Sequence, residues 1–372
     1  MHEITPSSGQ DIRSLNRQQI EDWIRSTGVP AYRTDQLIGW LYRARVSSWD
    51  QMTNLPVQLR QKLASTFSLQ LPSLVRIQGS TDTTCKFLWG LADGSMVESV
   101  LIPANPAHFG DASDRQTLCV STQVGCAYGC RFCASGLDGW KRNLQIHEIV
   151  GQIIAVENWH AAQTGEPGPV INNLVFMGMG EPLANYKNLI PALGILNADW
   201  GMNIGARKIT ISTSGLAPVI EKLADEPQQY RLAISLHGAT DPVRDLIMPV
   251  NKKYPLSQLT KACQYFQKKK GKMITLEYIL IRDVNDGMDQ VPHLASIARK
   301  LRAKVNLIPY NSVEGLEWQR PSVGVQEEFA GRLRQAGVTA TLRREKGHDI
   351  DAACGQLRLK TSKLQDAGNL SN

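Results

Sequence analysis

Three cysteines occupy eight consecutive residues of this sequence. Cys126, Cys130 and Cys133 follow the spacing C-x3-C-x2-C, in a loop between an apolar run and a predicted helix. Thiols this close together, in a basic chain whose first residues show no secretion signal, indicate a metal or iron–sulfur centre rather than disulfide bonds. A structural zinc site takes four protein ligands, whereas three cysteines on a cubane cluster leave one iron free to bind a small molecule. The triplet therefore predicts such a cluster or, alternatively, a zinc site completed by Cys119 or a distant histidine.

The composition is that of a globular protein. The 372 residues (41.2 kDa) are 42% hydrophobic, which is enough for one large domain and a smaller one. No segment is as long and apolar as a membrane span, and seven irregularly spaced cysteines suit a reducing compartment. We therefore expect a cytoplasmic protein without membrane contact. A net charge of +7 and a pI near 9.0 favour polyanionic partners.

Residues 1–75 predict a small helical accessory domain. Apolar residues recur at helical spacing at Ile20, Trp23 and Ile24, again over 37–42, and once more after Pro56. Six arginines are interleaved with these apolar residues, and they indicate either a surface that binds RNA or an ordinary solvated set of charges on a helical bundle. The sequence does not decide between these alternatives. The arginines are Arg13, Arg17, Arg25, Arg33, Arg43 and Arg45.

Residues 76–115 contain a predicted β-hairpin followed by a polar linker. Strand-like residues at 86–89 and 96–102 flank a turn with the sequence ADGS. Glu98 interrupts the second of these strands. A carboxylate in such a position usually faces solvent, so solvation is the default interpretation and a functional role is the alternative.

Residues 116–345 alternate between β-like runs and helical patterns, which predicts a parallel α/β barrel or partial barrel. Active sites of such barrels lie where the strands end, and each run here ends in small or polar residues. Residues 346–372 form a C-terminal segment that we expect to end in a mobile polar tail. The six runs are 117–122, 173–177, 208–213, 231–236, 274–281 and 304–308, followed by a shorter piece at 339–344.

Three separated motifs occur in order along the chain: CAYGCRFC at 126–133, MGMGEP at 177–182 and DIDAACGQL at 349–357. Together they resemble the RlmN family of dual-specificity radical S-adenosylmethionine (SAM) RNA methyltransferases. The resemblance implies an α/β fold, a partial (β/α)6 radical SAM barrel with a small helical N-terminal domain and a β-hairpin linker element. It further implies methylation of adenosine C2 in 23S rRNA and in tRNA beside the anticodon. The related Cfr enzymes, which methylate C8, give the alternative specificity.

The same resemblance implies the cofactors and the order of chemical events. The cysteine triplet would hold a 4Fe-4S cluster that chelates SAM and takes an electron from an external donor. Two SAM molecules are expected per turnover: the first methylates Cys354, and the second supplies the radical that activates this methyl group for addition to the adenine ring. A radical route is needed because adenine C2, between two ring nitrogens, is too electron-poor to attack SAM directly. Cys119 matches the resolving thiol, whose transient disulfide with Cys354 releases the product.

Other positions match SAM-binding or catalytic residues of the family. Gly180 and Glu181 match the element that receives the amino group of SAM, and Met177 resembles a methionine placed close to the methyl-carrying cysteine. Glu98 matches a residue proposed as proton acceptor. The positions that match contacts to the ribose, adenine or carboxylate of SAM are Ser212, Ser235, Leu236, His237 and Asn311.

The expected partner is folded RNA, bound by a monomeric enzyme. Arginines of 1–75 and lysine clusters at 252–253 and 268–270 would contact the phosphate backbone, while the target base is unstacked into the barrel mouth. A protein of a different class, a non-catalytic RNA-binding protein stabilised by metal, is the alternative. It predicts a colourless zinc protein instead of a brown, oxygen-sensitive one.

Overall fold

A mixed sheet of ten strands runs through the part of the chain that the computed structural model describes, residues 9–80, 83–104, 114–137, 139–313, 315–343, 357–359 and 361. Its strands are β1 Ser73–Gly79, β2 Cys85–Gly90, β3 Met96–Pro103, β4 Gln116–Cys119, β7 Asn173–Phe176, β8 Ile209–Thr213, β9 Arg231–Ser235, β10 Thr275–Leu280, β11 Lys304–Pro309 and β12 Ala340–Leu342. Between them along the chain, β5 Gln123–Gly125 and β6 Trp140–Asn143 form a separate hairpin.

Seven strands of the large sheet, β4 and β7 to β12, are parallel and follow one another in chain order. Helices connect most of these strands, as parallel pairing requires. The six predicted runs correspond to β4, β7, β8, β9, β10 and β11, and the shorter piece after them becomes β12. The predicted partial α/β barrel is therefore confirmed. It has seven parallel strands, one more than the six of the predicted (β/α)6 barrel.

The described α-helices are α1 Arg17–Ser26, α2 Arg33–Ile38, α3 Val57–Thr66, α4 Ala134–Leu137, α5 Ile146–Thr164, α6 Tyr186–Asn197, α7 Ala217–Asp225, α8 Asp241–Ile247, α9 Leu256–Lys270, α10 Gln290–Lys300 and α11 Val323–Gln335. Among them, none is both long and apolar enough to cross a bilayer.

The predicted N-terminal helices form as α1 to α3, and the helical pattern predicted over 37–42 runs from the end of α2 into a π-helix at Gly39–Arg43. Asn16 caps α1 in a reciprocal capping box with Gln19, which satisfies backbone N–H groups that the first turn leaves without a partner. The apolar faces of α1 and α3 bury Ile20, Ile24 and Leu63 completely. Burial of these faces holds the short helices together, since helices of ten residues are marginal in isolation.

The predicted hairpin forms as β2 and β3, and it is continuous with the barrel because β3 pairs antiparallel with β4. Two features were not anticipated from the sequence. β1 is an exposed edge strand, so Leu74, Val75 and Ile77 show no alternation between buried and exposed positions. The hairpin of β5 and β6 has strands of only three and four residues, too short for a periodic signal.

One face of the sheet carries polar residues in register across neighbouring strands. Glu277 on β10 pairs with Ser235 on β9 and Asn306 on β11. Because side chains alternate between the two faces of a strand, paired residues share a face. The same rule aligns Lys86, Val100 and Cys119 at the other end of this face.

Candidate active site

A cavity of about 330 Å³ lies at the carboxyl ends of the parallel strands. This volume is at the lower end of the range for small-molecule sites, about 300–1,000 Å³. Ten of the sequence-predicted site residues line this cavity: Cys126, Cys130, Cys133, Met177, Gly180, Glu181, Ser212, Ser235, His237 and Asn311. Leu236, which was predicted with them, is buried and is not part of the lining.

Backbone hydrogen bonds fix the cysteine loop on both sides. The Cys126 N–H donates to the carbonyl oxygen of Gly139 at 3.0 Å, and the Arg131 N–H donates to that of Ile247 at 3.0 Å. Gly125 enters the loop with φ of +73°, and a Cβ there would lie 1.8 Å from the Gly139 oxygen. The loop therefore needs glycine at this position and holds its shape through the main chain, independently of the thiols.

The electrostatics of the thiols favour a cationic ligand. Burial raises the pKa of Cys126 to about 12, and burial together with the two neighbouring thiols raises the pKa of Cys130 well above its ordinary value. Three thiolates on one cavity wall are therefore stable only when a cationic centre compensates them.

The donor set fits an iron–sulfur cluster. In the part of the chain that the structure describes, no three His, Cys, Asp or Glu side chains are arranged to hold a single metal ion. The thiolates of a cubane bind different irons, so they do not need to converge on one point. Three soft thiolates beside an open cavity match the chemistry of such a cluster.

The turn after β7 packs tightly against the connection between β4 and β5. The Met179 N–H donates to Ser121 Oγ at 2.9 Å, and the Glu181 N–H donates to Gln123 Oε1 at 2.8 Å. Gly180 has φ of +98°, and a Cβ on it would lie 2.5 Å from the Gln123 side chain. A side chain at this position would displace the turn that presents Glu181 to the cavity.

Glu181 is buried, and backbone groups hold both of its carboxylate oxygens. Oε1 accepts from the Leu183 N–H at 3.0 Å and Oε2 from the Ser214 N–H at 2.7 Å. Burial raises the pKa of this carboxyl, and the hydrogen bonds partly offset the increase. The group is a rigid hydrogen-bond acceptor in the cavity lining.

His237 presents a neutral imidazole to the cavity. The Ile279 N–H donates to Nδ1 at 3.0 Å, so the proton of the neutral ring is on Nε2. Burial, followed by the charge of Arg244, lowers the His237 pKa to about 3. The ring also meets Phe132 of the cysteine loop edge-on, with centroids 4.8 Å apart. His237 is therefore a hydrogen-bond donor that stays uncharged at neutral pH.

Arg244 is a structural member of the site that sequence reasoning missed. Its buried guanidinium donates to the carbonyl oxygens of Leu236, at 3.0 Å, and Ser214, and to Asn251 Oδ1 at 2.7 Å. It thereby ties together the segments that follow β8 and β9. One signal was available, because Arg244 lies three residues before the buried Ile247 and so on the same face of α8.

Glu277 is a second residue that was missed. It lines the cavity, and its Oε2 accepts from Asn306 Nδ2 at 2.6 Å. Burial raises the pKa of this carboxyl. A single acidic residue inside the apolar run 274–281 was the signal in the sequence.

Glu98 is buried, so the expectation that it faces solvent is wrong. Its Oε2 lies 2.9 Å from Lys86 Nζ, and both side chains are almost completely excluded from solvent. Its Oε1 accepts from the Arg358 N–H at 2.7 Å. The ion pair with Lys86 stabilises this buried carboxylate, because an unpaired buried charge would be costly. Glu98 is not part of the cavity lining and instead joins the hairpin to residues 357–359.

Cys119 ends β4 as a buried residue in register with Val100 of β3, two positions from Glu98. Cys119 and Glu98 therefore lie on the same face of neighbouring strands. Cys354 and the expected polar tail lie outside the described residues, so the Cys119–Cys354 pairing stays a prediction.

Three of the basic residues predicted to contact RNA are structural. Arg13 is buried and donates to the carbonyl oxygen of Val46 at 2.6 Å, and Arg45 is buried and donates to that of Pro167 at 2.6 Å. Lys270 is also buried, with Nζ donating to the carbonyl oxygens of Glu226 and Gln228. Because burial is incompatible with phosphate contact, these three residues are removed from the predicted RNA surface.

Comparison with known proteins follows the same division of the chain. The model of the ribosomal RNA large subunit methyltransferase N-terminal domain matches residues 10–69, and that of the radical SAM superfamily matches residues 120–295. The structure is similar to the crystal structure of a radical SAM methyltransferase from Sphaerobacter thermophilus. The TM-score is 0.86 at 41% identity, over 93% of this chain and 98% of that chain.

Full-length relatives give the family. The sequence is 55% identical over 361 residues to the probable dual-specificity RNA methyltransferase RlmN 3 of Opitutus terrae, covering 96% of this chain and 95% of that protein. It is 44% identical over 360 residues to the dual-specificity RNA methyltransferase RlmN of Anaeromyxobacter dehalogenans, covering 96% and 93%. These matches decide against the non-catalytic alternative. The chain therefore belongs to the RlmN family of radical SAM RNA methyltransferases, which implies an iron–sulfur cluster and SAM as cofactors and RNA as substrate.

Proposed function

We propose that this enzyme methylates C2 of adenosine in 23S rRNA and in tRNA beside the anticodon, through a methyl group carried on Cys354. The observation that carries the proposal is one cavity that combines three partly buried cysteines with a set of fixed polar groups. The thiols would hold a 4Fe-4S cluster, and the polar groups face the space that SAM would fill. When bound, these cofactors supply a one-electron route to a ring carbon that polar methyl transfer cannot reach.

The polar groups match the functional groups of SAM. Glu181, held by two backbone N–H groups, would accept hydrogen bonds from the ammonium group. The Nε2–H of His237 and the amide of Asn311 can donate to carboxylate or adenine acceptors. Ser212 and Ser235, with hydroxyl oxygens 3.5 Å apart on neighbouring strands, would serve the ribose. All of these side chains are on strand ends or fixed turns, which limits the reorganisation needed on binding.

The contact between Glu98 and Arg358 supports the role of Cys354. Arg358 follows Cys354 by four positions, and its backbone is bonded to β3, the strand that pairs with β4 at Cys119. We infer that this attachment keeps the methyl-carrying segment close to the resolving thiol. Glu98 would then both hold the segment and, as the family resemblance implies, accept the proton lost from the adenine ring.

Anaerobic reconstitution with iron and sulfide, followed by incubation with SAM, reductant and a tRNA transcript, tests the proposal. Mass spectrometry of the digested RNA should show 2-methyladenosine, and 8-methyladenosine would instead indicate the Cfr-type specificity. Cys354→Ala should abolish RNA methylation. The matched control is Cys85→Ala in β2, which changes a cysteine outside the cavity lining and should leave methylation intact.

The cluster itself requires a separate measurement. Cys126→Ala should remove most of the iron and the visible absorbance while the far-UV circular dichroism stays unchanged, because the loop is fixed by backbone hydrogen bonds. A colourless wild-type protein that binds zinc after anaerobic reconstitution would overturn the cofactor assignment.

A further inference from the structure

Arg244 carries a buried positive charge behind the wall of the cavity. The side chain is excluded from solvent and is not part of the cavity lining. Its three hydrogen-bond acceptors, the carbonyl oxygens of Leu236 and Ser214 and the amide oxygen of Asn251, are all neutral. Among the residues that the structure describes, no carboxylate forms an ion pair with it. Because a buried charge without a counter-charge is costly, Arg244 needs an anion that its own hydrogen bonds do not supply.

The two acidic residues of α8 compensate this charge only indirectly. Asn251, which accepts from the guanidinium, donates its amide to Asp241 Oδ1 at 3.0 Å and to Asp245 Oδ1 at 2.8 Å. The Asn251 side chain therefore lies between both carboxylates and Arg244. Both aspartates are also half-buried rather than buried, so water screens part of their charge.

The helix of Arg244 is bonded to the cysteine loop. Ile247, one turn further along α8, accepts the Arg131 N–H with its carbonyl oxygen at 3.0 Å, and Arg131 directly follows Cys130. The carbonyl oxygen of Arg244 itself accepts the N–H of Met248 at 2.7 Å, and Met248 lines the cavity. The guanidinium is thus held one layer behind the wall that carries the thiols.

The charges of Arg244 and Cys130 act on each other across this layer. Burial lowers the pKa of Arg244 to about 10, so the side chain stays charged at neutral pH. Of the anions that oppose this decrease, a Cys130 thiolate has the largest effect, ahead of Asp241 and Asp245. Burial and the neighbouring anions raise the pKa of Cys130, whereas Arg244 lowers it. The anion that Arg244 needs is therefore available on the cysteine loop.

An iron–sulfur cluster would supply this anion permanently. A cubane held by three thiolates carries a net negative charge, and its net charge is one of the properties that set its potential. One-electron reduction adds a further negative charge, which a fixed cation stabilises. Because Arg244 is buried, water and salt screen its charge only weakly. The reduced cluster should therefore gain more from Arg244 than the oxidised cluster does.

We infer that Arg244 is the internal counter-charge of the iron–sulfur cluster and raises its reduction potential. This inference rests on the proposed function, because it assumes a cluster on the three cysteines. It gives Arg244 a role beyond its hydrogen bonds to the segments after β8 and β9. Arg244 is a positioning residue in this role, since its charge acts on the cluster without contact to SAM or RNA.

The experiment is an anaerobic redox titration of the reconstituted enzyme. Dithionite gives one electron to the cluster, and electron paramagnetic resonance measures the reduced fraction. Arg244→Met should disfavour reduction about tenfold or more, which is a midpoint at least about 59 mV more negative for one electron. Arg244→Lys, with a charged side chain of similar length, should recover most of this shift. A role limited to hydrogen bonding predicts similar potentials for the two variants.

Arg13→Met is the matched control. Arg13 is also fully buried, and it donates to the carbonyl oxygens of Val46 and Gln70 in the N-terminal region. Its replacement should destabilise the protein and leave the cluster potential unchanged. If Arg244→Met does not fold, Arg244→Gln takes its place, because the amide can still donate to a carbonyl oxygen while the charge is removed.

A stability measurement provides a second readout. Thermal unfolding without oxygen compares wild type and Arg244→Met, each with and without the cluster. The loss of melting temperature should be larger in the reconstituted protein, because only there does the substitution remove a cation from beside an anion. Without the cluster, burial keeps Cys126 and Cys130 as neutral thiols.

Three results would overturn the inference. They are equal potentials in wild type and the uncharged variant, an equal shift in Arg244→Lys and Arg244→Met, and equal losses of melting temperature with and without the cluster. Failure of the proposed function is distinguishable from these results. A wild type that takes up no cluster would overturn both, whereas a cluster whose potential does not depend on Arg244 would overturn the inference alone.

Discussion

The carboxylate of Glu98 accepts a hydrogen bond from the backbone N–H of Arg358, a residue 260 positions later in the chain. The same carboxylate is 2.9 Å from the ammonium group of Lys86. One buried anion therefore joins two strands of the hairpin to residues 357–359. Substitution of Glu98 or of Lys86 is therefore expected to affect both the stability of the protein and the attachment of residues 357–359.

Lys86→Met should destabilise the protein by about 3–5 kcal/mol, because it removes the ammonium group that lies 2.9 Å from the buried Glu98 carboxylate. Urea denaturation followed by circular dichroism measures the loss. Arg332→Met is the matched control, since its ion pair with Glu328 is exposed and should contribute less than about 1 kcal/mol. Similar losses in the two variants would show that the Lys86–Glu98 pair is not effectively buried in solution.

Gly180→Ala should weaken SAM binding and lower the melting temperature. The methyl group would lie 2.5 Å from the Gln123 side chain on a backbone with φ of +98°, which we expect to cost about 1–3 kcal/mol. Calorimetric titration with SAM and thermal unfolding report the two effects. Gly194→Ala, in the interior of α6 with no atom within 4 Å of the added Cβ, should be neutral or stabilising. A Gly180 variant that binds SAM normally would contradict the role of this turn.

His237 should make the cluster-free protein sensitive to acid. Its pKa is about 3 in the folded state and about 6.5 when unfolded, so between these values the unfolded chain binds one more proton. Stability is complete above about pH 6.5 and falls on acidification by about 1.4 kcal/mol per pH unit. His237→Asn lacks the titrating ring, and Asn tolerates the positive φ of this position.

The measurement is urea denaturation of the wild type and the His237→Asn variant at pH 7 and pH 5. From pH 7 to pH 5 the wild type should lose about 2 kcal/mol more than the variant. Parallel loss in the two proteins would mean that the imidazole is already protonated or solvated in the folded state.

Cys119→Ala should trap a covalent adduct between protein and RNA. If Cys354 carries the methyl carbon and Cys119 releases it, removal of the resolving thiol leaves the adenine ring joined to the Cys354 sulfur through that carbon, since the S–C bond is not broken. Denaturing electrophoresis with labelled tRNA should show a slower band that ribonuclease removes. The band should be absent from the Cys119→Ala/Cys354→Ala double variant, and free methylated RNA from Cys119→Ala would remove this cysteine from the release step.

The sequence alone was sufficient for most of the local elements, although not for β1 or for the hairpin of β5 and β6. The runs that became β4 and β7 to β11 were recognisable because buried parallel strands are continuous apolar segments with polar ends. The cysteine triplet was recognisable because its spacing lies within one loop, where chain distance is a good measure of spatial distance. The residues that match SAM contacts could be named because the resemblance to the RlmN family assigns them position by position.

Tertiary structure decided what depends on distant segments. The sequence suggested solvent for Glu98, and its burial follows from the pairing of β2 with β3 and from a bond to Arg358. Arg13, Arg45 and Lys270 looked like surface charges, but their long side chains reach buried carbonyl groups of other elements. Arg244 joins the ends of two strands that meet only in the folded sheet. Whether a charge is paired, buried or exposed depends on which segments the fold brings beside it, and no local pattern contains that information.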